Sequence, residues 1–184
     1  MANVFDVANF FIKIAYDNGE SDVSNMKLNK LLYFAQGHCL STTGKPLFSN
    51  SFVAWPHGPV VVDIYNRYSI CGENPIVASE EPIEENAFTS EERELLYDVV
   101  REYGKYSASY LRNRTHLTGS PWDKTKQYAI IDNDTIREYF LEVERIPTFS
   151  EILMSKKIPI IENRDSDGYL ILPKDDHWDK EYAI

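Results

Sequence analysis

Long apolar runs are missing from this chain of 184 residues. No stretch approaches the roughly 20 consecutive apolar residues that span a membrane. Asp6 and Lys13 interrupt the apolar pattern of the N-terminus, which also lacks a secretory leader's basic start and clean apolar centre. A cytoplasmic protein is the expectation. Cysteine is almost absent too: Cys39 and Cys71 are too few for a disulfide framework and suit a reducing compartment as buried thiols. Neither they nor His38, His57, His116 and His177 show metal-ligand spacing of the CxxC or HxxxH kind, so no metal or other cofactor is expected. A nucleophile elbow, a phosphate loop and an HExxH motif are all lacking, which leaves no visible catalytic centre.

Basic charge is in deficit, and unevenly so. The net charge is −10, with 19 lysines and arginines against 29 acids. Met1 to Gly72 is neutral, whereas Glu73 to Glu94 holds eight acids and only Arg93, and Glu162 to Ile184 is again acidic. Nucleic-acid binding normally needs clustered Lys and Arg to displace counterions, so it is not expected here. A protein partner with basic surface is easier to accommodate. The exception is Arg101 to Lys126, where six bases stand against Glu102 and Asp123. This patch reads as a contact surface for a partner's acidic patch, less readily for RNA, or as solvated surface balanced by the protein's own acidic loop. Charge runs are usually the latter.

What is present is a globular pattern with 43% hydrophobic residues, sufficient for one domain with a real core. The most informative stretch is Ser24 to Tyr68. Ser24 is placed to cap a helix in which Leu28, Leu31, Leu32, Ala35 and Cys39 form an apolar stripe, with Asn29, Tyr33, Gln36 and Leu40 on another face. Gly37 inside that helix costs roughly 1 kcal/mol against Ala unless something packs close, so it predicts tight contact. Gly44 ends the helix and Lys45-Pro46 prevents its continuing. Phe52 to Trp55 reads as a short extended segment, and Gly58-Pro59 as the opening of a new helix with Pro59 at its first position.

Around this unit the periodicity predicts further helices. Asn3 caps one from Val4 to about Asp17, ended by Asn18-Gly19 and packed on the Ser24 helix. Gly72 to Ala87, with Pro75, Pro82 and paired glutamates, reads as an exposed acidic loop. Thr89 and Glu92 form a capping box for a helix that presents Leu95, Leu96, Val99 and Val100 to the core and closes at Gly104. Ser107 caps another through about Arg114, and Asn133 a last one carrying Ile136, Tyr139, Phe140 and Val143. After Pro147, two apolar runs, Ile158 to Ile161 and Tyr169 to Leu172, suggest a small hairpin turned at Asp167-Gly168, followed by a loose acidic tail. The expected fold is mainly α: a compact single-domain multi-helix globule, with a minor β element near Phe52 to Trp55 and the C-terminal hairpin.

The run KLNKLLYFAQG, followed by GKPLF, AWPHGPVV, the Tyr65 helix, Thr115-His116 and Pro121-Trp122, resembles the Panacea domain, the SocA-like or phage-associated (GepA-like) antitoxin family. The resemblance covers about Val4 to Phe140. It implies a compact, mostly helical bacterial or prophage domain over residues 1–146 that neutralises a toxin by binding it, without catalysis, leaving 147–184 as a C-terminal extension. The partner it implies is a toxin encoded by a neighbouring gene, whose identity the resemblance does not give. Tyr33, Gln36, Trp55, His57, Tyr65, Arg112, Arg114, His116 and Trp122 are the candidate partner-binding residues, since Trp, Tyr and Arg anchor interfaces. Trp55 and Trp122 are core types as well, and His116 reads as fixing a buried turn. The alternative is a small Cys/His-dependent hydrolase with Cys39 as nucleophile and His116 or His57 as base. Against it, Cys39 falls on an apolar stripe, where a thiol is usually inert packing.

Overall fold

A computed structural model describes residues 1–19, 22–78 and 87–144. Its organising element is α2 (Asn25–Thr43), capped by Ser24, whose side chain accepts from Lys27 N, and closed by Gly44 in the left-handed conformation at φ 70°. The other helices are α1 (Val4–Asp17), α3 (Val62–Tyr68), α4 (Ser90–Tyr103), α5 (Ala108–Thr115), α6 (Pro121–Lys124) and α7 (Asn133–Glu142). Three short strands, β1 (Phe52–Trp55), β2 (Gly58–Val60) and β3 (Ile130–Ile131), form an antiparallel sheet in the order β2-β1-β3. The fold is mainly α with a minor β element, as expected.

Helix α2 is enclosed on every side: α1, α3, α4, α5, α7 and β2 all pack on it. The expectation of one buried stripe therefore falls short, because nearly every side chain from Asn25 to Leu40 is buried. A buried amide or ammonium needs partners, and α2 finds them in backbone that has no ladder of its own. Gln36 Oε1 accepts from Leu47 N (2.9 Å) and Phe48 N (3.2 Å), and its Nε2 donates to Phe48 O. Asn29 Oδ1 accepts from Val61 N (2.9 Å) where α3 begins without a capping side chain of its own. Asn25 Nδ2 donates to Tyr65 O (2.9 Å) near the middle of α3. The polar positions of α2 thus position the loop, hairpin and helix that follow it.

Gly37 faces the Phe140 ring, and a Cβ there would stand 2.4 Å from it. This is the tight contact the mid-helix glycine predicts, and it brings α7 against α2. Around it Tyr33, Phe34, Phe52, Tyr103 and Phe140 form an aromatic core, with Phe34 and Tyr103 stacked at 4.1 Å. The capping box of Thr89 and Glu92 forms, as do the Asn3 and Ser107 caps.

Two boundary readings are corrected. Gly58-Pro59 does not open a helix: Pro56-His57 is a two-residue connection, Gly58 takes φ 98°, and Gly58–Val60 pairs with β1. Proline is admissible there because β2 is an edge strand. The last helix is capped by Asp132, not Asn133, and Val143 lies exposed beyond its end. Half of the expected acidic loop, with its paired glutamates, and all of the C-terminal hairpin and tail lie outside the described residues.

Candidate partner-binding surface

The β1–β2 hairpin is where distant pieces of the sequence meet. Two carbonyls at its tip are met by side chains from about sixty residues away. Trp122 Nε1, on α6, donates to Trp55 O at 2.8 Å. His116, at the end of α5, sets Nε2 3.1 Å from Pro56 O and Nδ1 2.7 Å from Arg112 O. The Trp122 and His116 rings lie 3.7 Å apart. Ser120, buried and bonded to Thr115 O (2.8 Å), caps α6, and Pro121 fits its first turn, which aims Trp122 at the hairpin. On the hairpin's other side, Trp55 meets Tyr65 of α3 edge-on at 4.8 Å.

Five of the nine candidate residues therefore lie at or around the hairpin: Trp55, His57, Tyr65, His116 and Trp122. Tyr65 is 39% exposed, His57 is exposed at the turn, and the two tryptophans and His116 are half-buried. Tyr33 and Gln36 do not belong to this group. Both are buried, at 1% and 0%, so their assignment to a partner surface is corrected: one fills the core and the other holds the loop at Leu47.

Arg114 departs from the surface reading as well. It forms a two-pronged ion pair with Glu144, Nε to Oε1 at 2.8 Å and Nη2 to Oε2 at 2.9 Å. Tyr103 OH donates to the same carboxylate (3.1 Å), and His38 Nε2 lies 2.9 Å from Tyr103 OH. The Glu144 hydrogen bond holds the Arg114 proton tightly, raising that group's pKa, and burial followed by the Glu144 charge raises that of Tyr103. Burial, aided by Arg114, pushes His38 down to about 3, so this imidazole stays neutral. Sequence reasoning missed Glu144, whose burial depends only on where α7 ends in space. Arg112 sits nearby, half-buried, with Nη1 on Asn113 Oδ1 (3.3 Å) and with a buried Nε that has no partner.

The same region contains Lys30, buried on α2, whose Nζ donates to Pro59 O at 2.8 Å. Burial and the charge of Arg112 push its pKa down to about 7. This residue was also missed, although the lysine within an otherwise enclosed helix was the available signal.

Residues 28–123 match the sequence profile of the family described as "Antitoxin SocA-like, Panacea domain". The chain belongs to that family. The stretch matched begins in α2 and closes in α6, so it contains the whole hairpin with its clamps. The chain is also similar to Antitoxin SocA of Caulobacter vibrioides (strain NA1000 / CB15N), 34% identical over 110 residues. That alignment covers 55% of this chain and 58% of the relative. No solved structure matches it.

The hydrolase alternative finds little in the geometry. Cys39 is buried, as its stripe predicts; its Sγ lies 3.7 Å from Thr43 Oγ1, and burial raises the thiol's pKa, which disfavours the thiolate. Among the described residues no group of three His, Cys, Asp or Glu is placed to hold a metal, and no helix is long and apolar enough to cross a membrane.

Proposed function

We propose that this chain is an antitoxin that neutralises a toxin protein by direct, stoichiometric binding, without catalysis. The observation that carries this is the joining of family membership to an aromatic cluster that reaches the surface: the stretch matched by the family holds Trp55, Tyr65, His116 and Trp122 together around the hairpin. Tryptophan and tyrosine are the residues that most often supply the few dominant contacts of an interface. His57, at the exposed turn, and Arg112, at the edge, complete the candidate set. Residues 1–146 are the antitoxin domain in this reading, and 147–184 an extension. The site of action is the cytoplasm, where Cys39 and Cys71 remain thiols. A net charge of −10 favours a protein over nucleic acid as the partner.

The test is titration of the purified full chain against the protein encoded by the adjacent open reading frame, with toxicity or toxin activity as the readout. Inhibition should saturate at a fixed molar ratio. Substoichiometric, time-dependent inactivation would mean turnover and would overturn the binding reading.

A further inference from the structure

The four cations of α2 and α5 are all buried or half-buried, and the fold treats them differently. Lys27 Nζ donates to both oxygens of Asp22 (2.8 and 2.6 Å) and to Gly104 O (2.7 Å), which uses all three ammonium hydrogens. Arg114 is held by Glu144. Lys30 and Arg112, by contrast, have no carboxylate among the described residues. The Lys30 ammonium meets one acceptor, Pro59 O, although it carries three donors, and Arg112 Nε is buried with none. Lys30 lies against the turn of α5 that carries Arg112, since Thr115 Oγ1, beside Lys30 Nζ under Gly58, donates to Arg112 O at 2.7 Å; burial, and then the Arg112 charge, depresses Lys30 to about 7. A Cβ on Gly58 would stand 2.9 Å from Lys30 Nζ and 2.7 Å from Thr115 Oγ1, so the ammonium lies directly under the hairpin and beside α5. Arg112 runs from its buried Nε to an exposed end at Asn113, which gives this charge a route to the surface.

A buried cation beside a half-buried one, with no carboxylate for either among the described residues, is unfavourable, and an anion arriving from outside relieves it. Resting on the antitoxin reading above, we infer that the Lys30–Arg112 pair is the receptor for one carboxylate of the partner protein, which binds the Arg112 guanidinium with the Lys30 ammonium behind it, beside the aromatic cluster of Trp55, Tyr65 and Trp122. A protein carboxylate fits better than a nucleic-acid backbone because the centre holds two cations in an acidic chain, rather than a basic stripe. Guanidinium also matches the planar, two-pronged geometry of a carboxylate.

The experiment measures affinity of the full chain for the protein encoded by the adjacent open reading frame, using wild type, Lys30→Met, Arg112→Gln, the double variant and Lys13→Gln as a remote control. Each of the two single variants should weaken binding about tenfold or more, mainly through faster dissociation, and the double variant should lose much less than the product of the two. Lys13→Gln should bind as wild type. The melting temperature of Lys30→Met should stay level or rise, since an uncompensated buried charge has gone. Should that variant fail to fold, Arg112→Gln still carries the test because its side chain is half-exposed. Arg112→Glu should abolish neutralisation, and a screen of Asp or Glu to Lys changes in the toxin should restore it. If the wild type neutralises and the Lys30 and Arg112 variants bind equally well, this inference fails while the antitoxin reading stands. If the wild type neither binds nor neutralises, both fall. Binding of a single-stranded RNA probe that depends on Lys30 and Arg112, in place of the toxin, would also overturn it.

Discussion

Gly37 sets two opposing effects against each other. Replacing it with Ala in a helix interior gains up to about 1 kcal/mol of intrinsic propensity. The added Cβ would stand 2.4 Å from the Phe140 ring, however, and overpacking a well-filled core costs about 1–3 kcal/mol. The steric effect should win, so Gly37→Ala is expected to destabilise by about 1–2 kcal/mol in urea denaturation; an unchanged or higher midpoint would refute the packing account. Cys39→Ala removes a small buried group and should cost about 1 kcal/mol of stability while leaving neutralisation intact. Loss of neutralisation with a folded protein would revive the hydrolase. Lys30 adds a pH dependence. Its folded pKa, about 7, lies below the ordinary lysine value of 10.5, so the unfolded chain binds the extra proton between those values. Stability then rises with pH across that window, and the penalty is fully present below pH 7. Lys30→Met lacks this component, so in paired thermal melts its advantage over wild type should narrow as pH rises from 7 towards 10.

At the level of elements, the hairpin is held from outside itself. A strand pair of four and three residues is too short to be stable alone, and its tip carbonyls depend on Trp122 and His116. Trp122→Phe keeps the ring and removes the N–H, so it should loosen the tip by about 1 kcal/mol. Faster amide exchange in Phe52–Val60, with α1 and α4 unaffected, is the expected signature; uniform exchange across the chain would instead indicate global destabilisation. The junction of α4, α5 and α7 depends on Glu144. Glu144→Ala strands Arg114 and the Tyr103 hydroxyl, and breaking a buried pair from one side costs about 3–5 kcal/mol. Arg114 keeps 30% of its side-chain surface in water, which places the expectation near the lower end. Combining Glu144→Leu with Arg114→Met should recover most of the loss in thermal melts. If the double variant is no better than the single, the charge is not what matters there.

For the whole molecule, the proposed binding predicts that charge and shape divide the work of association. Replacing Glu80, Glu81, Glu84 and Glu85 with Gln removes four charges from the acidic stretch. Rim charges chiefly steer encounter and are screened over about 8 Å at physiological salt, so association should slow and depend less on salt, while the molar ratio at full neutralisation stays fixed. Trp55→Ala should act on the other side of the balance, costing about 2 kcal/mol or more of affinity through faster dissociation, with circular dichroism to verify folding. Stopped-flow kinetics against the same toxin separates the two. Equal effects of both variants on the association rate would refute this division.

Local chemistry determined most of the elements. Asn3, Ser24, Thr89 with Glu92, and Ser107 cap their helices because an N-cap is a bond between residues two or three apart, which needs no distant partner. Gly44 ends α2 for an equally local reason, its left-handed backbone. Tight packing at Gly37 was legible as a cost without visible compensation, though its partner, Phe140, was not. Tertiary structure decided the rest. The sequence around Pro59 suits a helix start and an edge strand equally, and pairing with Phe52–Trp55 chose the strand. Tyr33 and Gln36 are types that serve at interfaces, but enclosure of α2 on all sides put them inside. The charges of Glu144 and Lys30 do not depend on their positions in the chain; only the packing of α5 against α2 and the placement of Glu144 after α7 gave Arg114 a carboxylate and left Lys30 and Arg112 without one among the described residues.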